Sequence, residues 1–402
     1  MAMLNNEQRI NFPSRVFLAA LAALLCLGGM ARSFAAEPIR VGVTASLTGQ
    51  YAAPGQDLLA GIQMWADDIN ARGALLGRPV EIVSYDDRSD PATSARLYER
   101  LINEDRVDLL IGPYASDVTL AACPVVEEHD FPMVSGSASA SDIWSRGYGN
   151  IFQVDTPAVH YMDLLIESAH DAGLQRIALA YADSDFPREV AKGVREQAAR
   201  YGMEIVFDRD FPEGSTDFSA LVRDMKASTP DVVIGGTYLD GSIAMVREAK
   251  RQQFSPKAFA FTVGPALVKF GEALGPDAEG VLGVVSWMRS GNIPMAYDFS
   301  YRYKEKSGHN AAAQAASGYA AGQVLEAAVR LAGTLDRDAV RGQLREMVFA
   351  SLVGRYHVGE SGMQLAKDTY VMQWQGGNRL LVLPRELRDN KIIYPFTPWS
   401  ER

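Results

Sequence analysis

Short runs of aliphatic and β-branched residues alternate with longer stretches whose apolar positions recur every three to four residues, the pattern of parallel strands joined by crossover helices. Residues 39–44 read as a first strand, and Leu58, Ile62, Trp65 and Ile69 mark the buried face of a helix that Arg72-Gly73 stops. Residues 80–85 form a second strand. Asp90-Pro91 then offers a helix cap followed by proline in the first turn, which predicts a helix over 91–104. Strands at 107–111 and 131–134 complete the first unit. The alternation breaks near 153–157 and resumes with strands at 176–181, 204–207, 231–234, 258–261 and 281–285, separated by helices near 187–201, 216–227 and 241–252. An alanine-rich helix over 311–333 follows, with small residues suited to close packing on a sheet. Residues 370–374 and 379–383 flank Gln375-Gly376-Gly377-Asn378 and read as a β-hairpin. The fold class is therefore α/β with two doubly wound units.

The N-terminus changes the picture. Arg9 and Arg15 precede an apolar run over 16–30, and Ser33-Phe34-Ala35 supplies small residues for cleavage after Ala35. That run falls short of the ~20 residues a membrane span needs, so residues 1–35 read as a secretory signal peptide. Leu25 sits where lipidation at Cys26 would require a small residue. The mature chain is expected in the periplasm or at the cell exterior, with 36 basic and 48 acidic residues and a formal charge of −12. An acidic surface without clustered Lys and Arg argues against nucleic acid as a partner. Only Cys123 survives cleavage, which excludes an internal disulfide.

Catalytic signatures are sparse. The five histidines show no metal-binding spacing, and no phosphate-binding loop or dinucleotide fingerprint follows the first strand. The nearest approach to a nucleophile elbow starts at Gly136, but Ala138 takes the serine position and Ala140 that of the second glycine. The reading is of a protein that is no enzyme and carries no cofactor or metal.

What remains is a set of hydroxyl and small residues at the carboxyl ends of strands, where open α/β sheets bind ligands. Gly112-Pro113-Tyr114-Ala115-Ser116-Asp117 follows the third strand, and Ser135-Gly136-Ser137-Ala138-Ser139-Ala140-Ser141 follows the fourth. Their hydroxyls and free N–H groups suit a ligand carboxylate. Helix capping and turn formation are the alternative use of such serines.

Several segments resemble the leucine/isoleucine/valine-binding protein family, the periplasmic receptors of ABC importers. They are Val41-Gly42-Val43-Thr44-Ala45-Ser46-Leu47-Thr48-Gly49, Trp65-Ala66-Asp67-Asp68-Ile69-Asn70, Tyr85-Asp86-Asp87, Ile111-Gly112-Pro113, Pro132-Met133-Val134-Ser135, Asp217-Phe218-Ser219-Ala220-Leu221, Gly318-Tyr319-Ala320-Ala321 and Tyr394-Pro395-Phe396. The resemblance implies two Rossmann-like lobes, as in type I periplasmic binding proteins, joined by a hinge of three crossovers near 153–157, 284–288 and 352–356. The N-terminal lobe would combine 36–156 with 286–352, and the C-terminal lobe 157–285 with 353–402. Carboxylate-binding positions fall on Ser116, Ala138 and Ser139, with Tyr114 and Ser137 in the same loops. Phe186 and Tyr238 match an aromatic wall of the second lobe, and Tyr51 and Trp287 are further stacking surfaces; ordinary packing is the alternative for each.

Two departures from the family pattern stand out. The paired cysteines of leucine-binding relatives correspond to Ser89 and Ala115. The acid that binds the ligand ammonium should fall near Thr262-Val263-Gly264, where no carboxylate stands. Either Asp240 or Asp183 replaces it, or the ligand is an amide, a simple carboxylate or an aromatic acid. The expected protein is a monomer that closes on a small molecule and delivers it to an ABC permease in the inner membrane. A soluble sensor of the same fold, feeding a regulatory partner, is the alternative.

Overall fold

The computed structural model describes residue 2 and residues 37–290, 293–365 and 367–402. The apolar run and cleavage point of the expected signal peptide fall outside these stretches. Among the described residues no helix is long and apolar enough to cross a membrane.

Between Pro38 and Arg402 the chain builds two open sheets with helices packed on them. The first holds β1 (Ile39–Ala45), β2 (Val80–Asp86), β3 (Leu109–Ile111), β4 (Met133–Ser135) and β5 (Ile151–Gln153) in the order β2-β1-β3-β4-β5, all parallel. The second begins with β6 (Arg176–Ala182), β7 (Glu204–Phe211), β8 (Val232–Gly236), β9 (Ala258–Phe261) and β10 (Leu282–Val285). After a separate hairpin, β11 (Phe349–Ser351) and β12 (Gly354–Tyr356), the strands β13 (Tyr370–Gln375) and β14 (Asn378–Leu383) extend the second sheet antiparallel, giving β14-β13-β10-β9-β8-β6-β7. Its parallel part, β7-β6-β8-β9-β10, repeats the winding of the first sheet strand for strand. The fold is thus duplicated although no sequence repeat is visible.

Local chemistry accounts for the element boundaries. Asp90 caps the Pro91–Asn103 helix by accepting the Thr93 N–H at 2.7 Å, with proline in the first turn. Gly376 and Gly377 both have positive φ, +58° and +73°, the conformation that a two-residue hairpin turn demands, and they join β13 to β14.

The structure departs from the expected pattern in three places. β5 occupies 151–153, an unanticipated strand just before the break expected near 153–157; its three residues are too few to show a period. The alanine-rich helix, Ala313–Ala332, packs chiefly on the Ala52–Ala71 helix rather than on a sheet. There Gly61 faces the Ala315 backbone and Gly318 the Leu58 backbone so closely that a Cβ on either would collide with a carbonyl oxygen. Thirdly, where the last crossover was expected, at 352–356, the chain turns tightly through β11 and β12. Leu352, Val353 and Tyr356 enter the hydrophobic cluster of the first sheet, and Tyr356 donates to the Leu344 carbonyl at 2.6 Å. Burial of those side chains holds the hairpin against the first sheet, and the chain leaves for β13 only afterwards.

Gly61→Val should lower stability by about 1–3 kcal/mol through overpacking against backbone that cannot yield. Gly342→Ala, inside the Arg337–Glu346 helix with open space around it, should raise it by about 0.5–1 kcal/mol through helix propensity. Thermal unfolding of both variants checks the pair.

Candidate functional site

In a parallel sheet of this order the loops leaving β1 and β3 run in opposite directions, which opens a crevice at their carboxyl ends. Tyr51 follows β1 and Tyr114 follows β3, their ring centroids 6.0 Å apart. The equivalent point in the second sheet lies between β6 and β8, and there the chain sets Phe186 and Tyr238, 6.3 Å apart. Tyr238 also meets Tyr51 of the other lobe at 5.2 Å, and Phe186 stands edge-on to Tyr161 at 5.2 Å and 89°. Five rings from two lobes form a continuous belt. Burial raises the hydroxyl pKa of Tyr51, Tyr114, Tyr161 and Tyr238, so all four remain neutral donors.

Beside this belt lies a small cavity of about 30 Å³ between the lobes, lined by Tyr114, Ser116, Ser137, Ser139, Phe186, Tyr238 and Val263. That volume holds about two waters, so a ligand enters only as the lobes part. Ser116 opens the Ser116–Glu128 helix, and its Oγ accepts the N–H groups of Ser139 and Ala140, each at 3.1 Å, drawing the second serine loop onto the first. That arrangement leaves the Ser116 hydroxyl proton available next to a helix N-terminus, where anions are favoured. Three atoms of cavity residues, Ser137 Oγ, Ser317 Oγ and Gln314 Oε1, are buried without a hydrogen-bond partner. Such orphans are costly unless something else meets them.

The remaining expected residues lie outside this lining. Tyr51 stands in the neighbouring rim groove, with Asp240. Asp240 and Asp183 are both exposed, Asp183 accepting the Glu213 N–H. Thr262 is tied to Thr237, donating to its carbonyl at 2.5 Å and accepting its N–H at 3.0 Å. Ala138 is buried in the core of the first sheet. Trp287 packs edge-on against Phe299 at 5.5 Å and lines a different cavity. Conversely, Asp155, Tyr161, Ser286, Gln314 and Ser317 line the site without having been anticipated. Gln314 and Ser317 carried one usable signal: they are polar residues three apart at the start of an alanine-rich helix.

Asp155 has a structural partner. It lies on the passage from β5 into the second lobe, and its Oδ1 accepts both Lys367 Nζ and the Thr156 N–H at 2.7 Å. The two charged side chains are only 7 % and 3 % exposed. Lys367 belongs to the return passage toward β13. Around the pair, Gln153 N donates to Gly362 O at 2.9 Å, Gln364 N to Gln153 Oε1 at 3.1 Å and Thr369 Oγ1 to Tyr161 O at 3.0 Å. The first and last passages between the lobes are thereby laced together beneath the cavity.

The profile of the periplasmic binding protein family matches residues 38–378. The chain belongs to that family. A Leu/Ile/Val-binding protein homologue from Brucella melitensis is 24 % identical over 401 residues, covering 94 % of this chain and 99 % of the relative. The Leu/Ile/Val-binding protein of Escherichia coli is 27 % identical over 281 residues, 68 % of this chain and 73 % of that one. Among solved structures, a leucine-binding protein from Thermotoga maritima superposes with a TM-score of 0.79 at 25 % identity, over 85 % of this chain and 97 % of its own. An ABC-transporter solute-binding protein from Rhodopseudomonas palustris shares the fold with a TM-score of 0.78 at 19 % identity, over 90 % and 98 % of the two chains.

Two outcomes follow for this periplasmic binding protein. Lys367→Met should cost about 3–5 kcal/mol, because it leaves a buried carboxylate unpaired, whereas Asp155→Asn combined with Lys367→Met should restore most of that loss; denaturant unfolding of the double-mutant cycle measures both. The second concerns Asp117 and Glu213 at the rim. Burial raises both carboxyls above their ordinary pKa, and repulsion from Asp185 at Asp117 and from Asp117 at Glu213 adds to it. Asp117 accepts from Tyr51 Oη at 3.2 Å and Glu213 from Ser184 Oγ at 2.7 Å; among the described residues neither has an ion-pair partner. The closed cleft therefore holds more protons than an open one just above the usual carboxylate range, and closure weakens as pH rises through the raised values. Ligand affinity should increase from neutral to mildly acidic pH, and Asp117→Asn should flatten the profile, as calorimetric titrations at several pH values would register.

Proposed function

We propose that this periplasmic binding protein captures a small carboxylate- or amide-bearing ligand between its lobes and passes it to the permease of an ABC importer in the inner membrane. The observation that carries the reading is the small cavity between the lobes, in which orphaned Ser137, Ser317 and Gln314 atoms sit beside the start of the Ser116–Glu128 helix under the rings of Phe186, Tyr238 and Tyr161. The helix start and serine hydroxyls suit the polar head. The rings enclose the body and exclude water, which strengthens each polar contact inside.

Capture proceeds by lobe closure. The serine loops belong to the first lobe, whereas Phe186, Tyr238 and Val263 belong to the second. A ligand that touches both sets binds only the closed form and shifts the population toward it. Closure then brings the outer surfaces of the two lobes into one composite face for the permease. The relatives support this role: the Thermotoga protein is named for leucine, and the Rhodopseudomonas protein is in complex with benzoate.

A thermal-shift panel of amino acids, amides, aliphatic acids and aromatic acids tests the reading, since a ligand specific to the native state raises its melting temperature. Ser137→Ala and Ser317→Ala, whose hydroxyls bond nothing in the protein, should leave the unliganded melting temperature unchanged and weaken the active ligand about ten-fold each, or about 1.4 kcal/mol. Unchanged affinity in both variants would move the site elsewhere.

A further inference from the structure

An amino acid entering the cavity brings a carboxylate and an ammonium, and each needs a partner once water is excluded. Among the described residues that line the cavity, Asp155 is the one carboxylate. Its charge is already matched by Lys367 at 2.7 Å, and the Thr156 N–H occupies the same oxygen. An ammonium approaching Asp155 would meet the lysine's charge too, so the attraction and the repulsion largely cancel. The second lobe's wall offers no carboxylate: among the described residues it contributes Phe186, Tyr238 and Val263 to the lining, and the adjoining Thr262 hydroxyl is committed to Thr237. Neither rim carboxylate, Asp117 or Glu213, is part of the lining.

The provision for an anion is of the opposite kind. The hydroxyls of Ser116, Ser137, Ser139, Ser286 and Ser317 and the first turn of the Ser116–Glu128 helix converge on the cavity, and hydroxyl donors at a helix start hold a carboxylate without bringing a full counter-charge. The orphaned Gln314 Oε1 is an acceptor that any N–H or O–H donor satisfies, but it carries no negative charge to balance an ammonium. Rings from Tyr161, Phe186 and Tyr238 surround the rest.

Resting on the cavity being the ligand site, we infer that the physiological ligand is a carboxylate without an ammonium group: an acid with a ring or branched body, whose second polar group is a neutral donor facing Gln314. The Asp155–Lys367 pair is then a specificity determinant, because it leaves the cavity's single carboxylate unable to reward a cation.

Calorimetric titration of the ligand-stripped protein with matched pairs tests this: leucine against isocaproate, and phenylalanine against hydrocinnamate, with benzoate as a rigid ring acid. The expected result is that an acid lacking the amine binds at least ten-fold more tightly than its amino-acid counterpart, and that Ser137→Ala weakens it. An amino acid that binds as tightly as its amine-free partner, yet is weakened by Ser137→Ala, overturns the inference and leaves the cavity as the ligand site. Binding of any of these compounds that is indifferent to Ser137→Ala and Ser317→Ala overturns the site itself, and silence across all five in a protein that still melts cooperatively overturns both.

Discussion

A parallel strand must hand its chain to a crossover before the next strand can begin, and the crossover returns to the starting end of the sheet. Every carboxyl end therefore opens into a loop on one side, and at the place where winding reverses direction two such loops part and leave a crevice. This constraint applies twice here, between β1 and β3 and again between β6 and β8. When the two sheets face one another, their crevices become halves of a single chamber. The serine loops, the aromatic belt and the passages beneath them are consequences of that meeting, since each lies next to a strand end the topology had already placed.

The chamber is chemically asymmetric. The first lobe contributes hydroxyls and a helix start, suited to negative charge; the second contributes rings and an aliphatic wall, suited to hydrocarbon. The one acid in the lining belongs to neither set. It lies on the passage between the lobes, paired with a lysine from another passage, and serves architecture as much as recognition. A buried pair of this kind contributes little net stability compared with an apolar replacement, but losing one partner is costly.

Much of this was legible beforehand because it depends on periodicity and punctuation. The short aliphatic runs of β1, β2 and β6, the Asp90-Pro91 cap and the paired glycines of the final turn each state their structure locally. Ser116, Ser137 and Ser139 were visible for the same reason, since strand ends can be counted along a chain. Asp155, Tyr161 and Ser286 were not, because what makes them cavity residues is the packing of one lobe on the other. Trp287 misled for a related reason: an aromatic residue next to a crossover faces a ligand or a core according to a rotation that sequence does not encode, and here it meets Phe299. The crossover expected near 352–356 came from the family pattern alone, and a hairpin, β11–β12, stands there instead.

The lacing of Gln153, Asp155, Gln364 and Lys367 makes two of the three passages a single strap. Two rigid bodies joined so narrowly have, to a first approximation, one angle left to vary, and the pivot lies close to the cavity while the lobes reach well beyond it. The geometry is that of a lever with a short inner arm. Small differences in how a ligand fills the chamber are multiplied into larger displacements at the far edges, so a partner touching only the outside can read the contents from the spacing of two distant patches.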